Sequence, residues 1–574
     1  MATLRLGIGS HSLTARFGGT WIFAPSTSPA QDLTITGSLP SGLSLSDTGS
    51  PGNYTVTGVV QSPGPNPATG TVTFEDATNN FHVLATAPLG SATATQAFLP
   101  QVKSRTQQFP IAAAVADLDQ NGIVDVITIN EQTHLVNVSK GLGDGHFLLG
   151  PQTYQAGKAP NSLAVGDFNA DGFPDLAVAS DAGISVLLNK GDGTFLQQVL
   201  YDTYTFPHSV AVGDFNGDGV QDLIITDNAY PNSNVSVLFG VGGGRFKSPA
   251  SSTPVGAPVL AIAVGDFNGD GVLDAATANT DHTLTVLLGR SDGTFQVEAH
   301  RSAGGGTSIA AADLNNDGIL DIVTSNYEYE PSTATYTNEI LVRLGTGNAH
   351  FGKPVAYLTG DEPQAVAIGD FNGDGSPDLI TANYNTNNAS IFINDGKGGF
   401  GTAANLPAGS QPNALMVGDF NGDGITDAAV VNFNTSDVSV LLSQVTQSAT
   451  ATLSNFAVPG KGSHVITANY SGDTFHYPSA PSSALDLKAT LISTSISVEV
   501  NAAGTIEITI SATNQYNYPI NGAATLYLQD GTVHKFWYPN KTSYFYQPNY
   551  SGPMYITYKG NDDFAASSLG ALKY

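Results

Sequence analysis

Seven short segments concentrate oxygen donors at a fixed spacing: DLDQNGIVD (117–125), DFNADGFPD (167–175), DFNGDGVQD (214–222), DFNGDGVLD (266–274), DLNNDGILD (313–321), DFNGDGSPD (370–378) and DFNGDGITD (419–427). In each, positions 1, 3, 5 and 9 are Asp or Asn and position 6 is Gly. This pattern suits a hard cation. Ca²⁺ takes six to eight oxygens at about 2.3–2.6 Å, supplied by carboxylates and amides around a tight turn plus a main-chain carbonyl, expected here at position 7. The candidate ligands are Asp117, Asp119, Asn121, Ile123 and Asp125 in the first loop, and Asp167, Asn169, Asp171, Phe173 and Asp175 in the second. The third offers Asp214, Asn216, Asp218, Val220 and Asp222, and the fourth Asp266, Asn268, Asp270, Val272 and Asp274. Asp313, Asn315, Asp317, Ile319 and Asp321 follow in the fifth, then Asp370, Asn372, Asp374, Ser376 and Asp378 in the sixth. Asp419, Asn421, Asp423, Ile425 and Asp427 complete the set. Carboxylates crowded in this way repel one another until a dication neutralises them. The loops hold 21 aspartates, three in each, so seven Ca²⁺ ions, about 14 positive charges, would halve the formal net charge of −28.

Two other readings of the loops are weaker. An EF-hand needs a bidentate Glu at position 12 between two helices. Here position 12 is Thr128, Val178, Ile225, Thr277, Thr324, Thr381 or Val430, and the flanking segments alternate as strands do. Simple Asp/Gly hairpin turns would explain one copy but not seven.

The elements that position the loops repeat with them. The first aspartates are 50, 47, 52, 47, 57 and 49 residues apart. Each period reads as a strand such as SLAVGDF, the acidic loop, a strand such as DLAVAS and a third such as ISVLLNK, closed by a glycine turn and a phenylalanine. Four short strands at this period predict propeller blades, with solenoid stacking the alternative. Phe147, Phe195, Phe246, Phe295, Phe351 and Phe400 mark six of these turns, and the seventh unit has none after Leu442. Phe98, however, precedes Asp117 by 19 residues, as Phe195 precedes Asp214. Residues 98–108 are therefore expected to supply the outer strand of the last blade, a clasp that closes a ring and that a solenoid does not need.

The loops and their period resemble the FG-GAP or VCBS repeats of bacterial surface proteins, related to the propellers of integrin α subunits. The resemblance covers residues 98–445. It implies a seven-bladed propeller with Ca²⁺ on one face and partners on the other. The first loop departs from it by placing Asp119 and Asn121 where the others have Asn and Asp, an exchange of one carboxylate for another.

Outside the ring, segments 11–28, 464–480 and 553–568 resemble one another, as do 70–80 and 523–533. They look like the trailing and leading halves of bacterial Ig-like repeats. The expected division is 1–35, a partial trailing half; 36–97, the leading half of a split domain; 98–445, the propeller; 446–487, the trailing half of the split domain; and 488–574, a C-terminal Ig-like domain. The fold class is thus all-β, with a seven-bladed propeller inserted into one of its Ig-like sandwiches. Insertion requires host ends that lie close together, and the clasp brings entrance and exit into one blade.

The composition narrows the function. Charged residues are 12% of the chain, against about 25% in an ordinary globular domain, and acidic residues outnumber basic ones by 48 to 20. Nucleic acid is an unfavourable partner. There is no cysteine for thiol chemistry or disulfides. No apolar run reaches the roughly 18 residues needed to span a bilayer, and residues 1–20 lack the pattern of an export signal. The expectation is a piece of an extracellular or bacterial cell-surface protein. Hairpins between the second and third strands of the blades, on the rim away from the loops, carry Tyr230, Tyr327, Tyr329, Tyr336 and Tyr384. Tyrosine presents a flat apolar face with a polar tip, suited to a glycan or a protein loop. Adhesion or glycan recognition is expected, with a structural surface layer or fibre, self-assembled through the Ig-like modules, as the alternative. A propeller polysaccharide lyase is a lesser one. The chain has no HExxH, nucleophile elbow or Walker loop, and none of its eleven histidines stands in a recognisable catalytic pattern.

Overall fold

A computed structural model describes the chain apart from residues 1–8, 14–15, 18–25, 28–30, 36–40, 107–108, 149–151, 204–206, 228–232, 248–250, 303–305, 331–334, 475, 492, 501–505, 513–521, 529–532, 539–542, 547–553, 560–564, 566 and 573–574. It divides into two units, Met1–Ile35 with Thr95–Val445, and Thr36–Ala94 with Thr446–Tyr574. Among the described residues the fold is all-β apart from one turn of 3₁₀ helix at Ala77–Asn79, and no helix is long and apolar enough to cross a membrane. The segment expected as a partial Ig-like half, 1–35, lies largely outside the described residues. Two short antiparallel pairings are described there, Gly9–Leu13 with Gln31–Ile35 and Arg16–Phe17 with Ser26–Thr27.

Residues 95–445 contain seven four-stranded antiparallel sheets among the described residues. The innermost strands are Pro110–Ala116, Pro160–Gly166, Pro207–Gly213, Val259–Gly265, Ile309–Ala312, Pro363–Gly369 and Pro412–Gly418. They are rich in Ala, Val and Gly, small enough for neighbouring inner strands to approach. Each lies against the inner strand of the next sheet, and the seventh lies against the first, so the series closes on itself in a propeller-like arrangement. The second strands, among them Asp125–Asn130, Asp175–Ser180 and Asp378–Asn383, are buried at every residue, because both of their faces are covered by neighbouring sheets. Outer strands such as Gln152–Gln155 and Ala404–Pro407 are mostly exposed. The last sheet takes its outer strand from the N-terminal side: Val102–Arg105 pairs with Asp437–Leu441, Val102 opposite Val440 and Arg105 opposite Asp437.

A phenylalanine joins each sheet to the one before it. Phe246 packs edge-on against Phe168 at 5.4 Å between ring centroids, Phe295 against Phe215 at 5.8 Å and Phe351 against Phe267 at 5.9 Å. Phe147 meets Phe420 at 6.0 Å, and Phe98, from the clasp, meets Phe371 at 6.5 Å. The partner is always position 2 of an acidic loop. Where that position is leucine, at Leu118 and Leu314, the outer strand of the same sheet supplies a tyrosine instead: Tyr154 stands edge-on to Phe195 and Tyr357 to Phe400. Since Phe371 is fully buried, Phe371→Ala is expected to cost about 3–5 kcal/mol through lost transfer energy and the cavity left behind. Urea denaturation measures it, and a loss below about 1 kcal/mol would show that the sheets are joined by other means.

In the second unit, chain segments hundreds of residues apart share sheets. One sheet has the order Gly42–Ser50, Asn53–Pro63, Ser443–Phe456, Thr93–Phe98, and another Leu485–Lys488, Ser463–Tyr470, Thr71–Asp76, His82–Pro88. Thr93–Phe98 and Ser443–Phe456, which lead into and out of residues 99–442, are neighbours in the first of these sheets. Alternating inward residues, including Val56, Val60, Val72, Phe74, Ala451, Ile466, Ala468 and Tyr470, form the core. Polar ties cross the same seam. Asp473 Oδ2 accepts from Thr69 N at 2.7 Å and Thr69 Oγ1 at 2.9 Å, and His464 Nδ1 lies 2.7 Å from the buried Asp76 Oδ2. The last residues form a three-stranded sheet (Thr494–Val500, Ile506–Ala512, Ser543–Tyr546) and a four-stranded one (Val533–Tyr538, Gly522–Leu528, Met554–Tyr558, Ser567–Leu572). A chain in which a short linker replaces residues 99–442 is expected to retain β-sheet circular dichroism and a cooperative thermal transition. An unfolded product would show that the two halves of the seam do not suffice.

Candidate functional site

The seven acidic loops join inner to second strands and share one internal geometry. In the third, Asp214 Oδ1 accepts from Asp218 N at 3.1 Å and Asp214 Oδ2 from Gly219 N at 2.8 Å. Asn216 Oδ1 accepts from Asp218 N, and Asp218 Oδ1 from Val220 N, both at 2.8 Å. These nested Asx turns wind the backbone around its own side chains. Position 6 sits at positive φ, +82° at Gly219, which explains its invariant glycine. Position 4 is also left-handed, yet it accepts Gln120 at +56° and Ala170 at +60°. The position-7 residues Ile123, Phe173, Val220, Val272, Ile319, Ser376 and Ile425 all donate their amides to the position-5 side chain.

Position 9 has a further role that spacing alone does not reveal. Asp222 Oδ2 accepts from Phe215 N at 3.0 Å and its Oδ1 from Gly240 N at 2.8 Å, beyond the third strand. Asp125, Asp175, Asp274, Asp321, Asp378 and Asp427 do the same. All seven are fully buried. Burial pushes Asp125, Asp175, Asp222 and Asp274 up to about 6, Asp378 to about 7 and Asp427 to about 8, against the opposing pull of those two amide bonds.

The donor chemistry of the loops fits a hard dication, since every side-chain donor is an oxygen and each loop has three carboxylates. The donors are not gathered in advance, however. Among the described residues no three acidic or histidine side chains converge as a cation cage. The oxygens of positions 1, 3 and 5 are turned onto loop amides, and in loops two to seven the position-3 amide donates to position 5, as Asn216 Nδ2 does to Asp218 Oδ2 at 3.0 Å. The first loop differs: Lys140 Nζ lies 2.5 Å from Asp119 Oδ2. The sequence reading overlooked this lysine. Its signal was a single basic residue at a position that is otherwise apolar.

The hairpins lie at the opposite end of the second strands. Tyr327 and Tyr336 stack at 4.7 Å with 6° between their planes, on the long hairpin formed by Asp321–Glu330 and Thr335–Arg343. Tyr336 is 51% exposed. Burial, and then the nearby Glu362 carboxylate, push the Tyr327 hydroxyl above its usual range. Tyr329 is on the same strand, its backbone opposite Tyr336, while its side chain and all of Tyr230 lie outside the described residues. Half-buried Tyr384 is in the next sheet's hairpin and donates its amide to Glu362 O at 2.9 Å. Asn338 Nδ2 donates to Asp361 Oδ1 at 3.1 Å and Asn385 Nδ2 to Glu362 Oε2 at 2.7 Å, linking the two hairpins through residues 361–362. Several hairpin asparagines are used by the fold itself. Asn383 Nδ2 donates to Asn388 Oδ1 and Ser390 Oγ, both at 2.8 Å, and Asn432 Nδ2 to Asp437 Oδ1 at 2.7 Å. His208, half-buried on an inner strand, is held below the usual histidine range by burial.

Comparison with known proteins agrees with the loop pattern. Residues 117–178, 167–225, 266–324 and 370–430 match the FG-GAP-like repeat. No curated protein matches the chain. Among solved structures, an Agrocybe aegerita lectin, described as specifically recognising non-reducing terminal N-acetylglucosamine, is similar at 17% identity and a TM-score of 0.39, over 65% of this chain and 97% of the lectin. A protein of unknown function from Desulfotomaculum acetoxidans DSM 771 is similar at 11% identity and a TM-score of 0.35, over 59% of this chain and 99% of its own. The chain thus carries FG-GAP-like repeats on an all-β, propeller-like repeat fold.

Proposed function

We propose that this is a calcium-stabilised binding or adhesion protein of the extracellular space or cell surface. Its body is a seven-bladed propeller inserted into an Ig-like sandwich and followed by a second one. The ligand, a glycan or a protein, is taken at the hairpin rim. The observation that carries this reading is the stacked Tyr327–Tyr336 pair on the longest hairpin, beside Glu362 and Asp361. A flat aromatic surface next to fixed hydrogen-bonding groups is what a sugar ring or a protein loop needs. On a glycan array, and against candidate surface proteins, Tyr327→Ala and Tyr336→Ala are each expected to weaken binding about tenfold or more, as central aromatic anchors do. Retention of full affinity by both variants places the binding site elsewhere.

Calcium in this reading is structural. With dissociation constants of about 0.1–1 mM, typical of extracellular modules, each site adds roughly 0.4–1.4 kcal/mol at about 1 mM metal. Several sites together rival the stability of an ordinary domain. The position-9 aspartates give this stabilisation a pH dependence. Their folded pKa values exceed the unfolded value of 3.8, so the metal-free folded state holds protons that the unfolded chain has released. Stability of the chelated protein therefore falls as pH rises from about 4 to about 8. A dication offsets the buried charge that deprotonation leaves, so the rise in Tm on adding Ca²⁺ is expected to be larger at pH 8 than at pH 5. Calorimetry with EDTA and with excess Ca²⁺ at both pH values measures it. Identical Tm values with and without metal would remove calcium from the account.

A further inference from the structure

The first acidic loop and its sheet depart from the other six in several places, and two of these departures are linked. Its position-3 side chain is Asp119, where the others have Asn169, Asn216, Asn268, Asn315, Asn372 and Asn421. The second difference lies one residue before the amide that binds the position-9 carboxylate. There the first sheet has Lys140, and the others have Leu188, Phe239, Leu288, Leu344, Ile393 and Leu442. The two exceptions meet. Lys140 Nζ lies 2.5 Å from Asp119 Oδ2, with side-chain exposures of 25% and 18%, and it also donates to Asp192 O in the neighbouring sheet at 2.9 Å. The glycine at position 193 leaves room for the lysine, since a Cβ there would come within 3.1 Å of Nζ and 3.3 Å of Cε.

In the other loops the position-5 aspartate receives a hydrogen bond from its own position-3 asparagine. In the first, neutral Asn121 keeps the turn bond to Ile123 N at 2.7 Å, while the displaced carboxylate at position 3 is met by the ammonium group. A dication bound here would face that ammonium group at close range and would have to displace it from both of its acceptors.

We propose that Lys140 is the built-in cation of the first loop, so that loops two to seven take a divalent ion and the first does not. This rests on the calcium reading above and withdraws Asp117, Asp119, Asn121, Ile123 and Asp125 from the ligand set. Removing the lysine would leave Asp119 uncompensated. Its Oδ1 is already buried without a partner, which gives an entering ion a free donor.

The test uses the full chain, stripped with chelator and re-equilibrated with Ca²⁺, and counts bound metal by equilibrium dialysis with elemental analysis. Lys140→Met is expected to bind one more ion per chain than the unaltered protein. Its Tm is expected to be lower than that of the unaltered protein in chelator, with the difference shrinking in Ca²⁺. Asp119→Asn in the unaltered background is expected to leave the count unchanged, whereas Asp218→Asn loses one ion. This second pair keeps the test decisive if Lys140→Met does not fold. Equal, non-zero counts for the unaltered protein and Lys140→Met, or loss of an ion in Asp119→Asn, overturn the role of Lys140 and leave calcium binding intact. No bound Ca²⁺ in any protein overturns both readings.

Discussion

The fold depends on a buried carboxylate, repeated seven times, whose two oxygens are each held by a main-chain amide. At position 9 of each loop, an aspartate ties the start of its own loop to the turn beyond the third strand through two main-chain amides. One residue from the loop's start, a phenylalanine or leucine projects between sheets and meets the aromatic turn of the neighbour. One nine-residue segment thereby fixes the inside of one sheet and its junction with the next. The repeated unit therefore works as a joint, and it is satisfied only when the neighbouring sheet is present.

That dependence explains why closure matters. In an open series, the last joint would leave a buried phenylalanine and a row of strand amides unpartnered. The chain avoids this by drawing the outer strand of the last sheet from its N-terminal side, so that Phe98 reaches Phe371 and Val102 pairs with Val440. The same arrangement places the strands leading into and out of the ring side by side in a sheet of the second unit. A segment of this size can be accommodated within a host unit when its two ends emerge as neighbours.

The electrostatics follow from the same joint. Taking a carboxylate out of water is costly, and two amide bonds offset only part of that cost. Burial raises the position-9 aspartates towards neutral pH, and the other two carboxylates of the loop, at positions 1 and 5 in loops two to seven and at 1 and 3 in the first, place like charge close by. The proposed calcium addresses this shared cost. Lys140 shows how a protein can place its own cation in the same setting. On the opposite rim, buried asparagines close the hairpins from within, and Tyr327 and Tyr336 stack on each other across the longest of them.

Much of this was legible in the chain, and the reason is periodicity. Seven copies of one pattern at steps of 47 to 57 residues define the repeat, the loop positions and the strands around them. The displaced match at Phe98 predicts the clasp, because hydrophobic registers are local and survive relocation. The pairing of residues near 70 with residues near 470 was visible as two unmatched halves. What the sequence could not reveal is which oxygen meets which partner. Spacing treats positions 1, 3, 5 and 9 alike, yet the folded chain buries position 9 on amides from two separate turns and folds the others over their own loop. Nor does spacing join Lys140 to Asp119, 21 residues apart, or stack Tyr327 on Tyr336. By itself the sequence determined the repeat and its chemistry, since these are set by residue type and local period. Only the tertiary structure decided the partners, because a hydrogen bond or an ion pair depends on distances of a few ångströms between strands that the chain brings together from far apart.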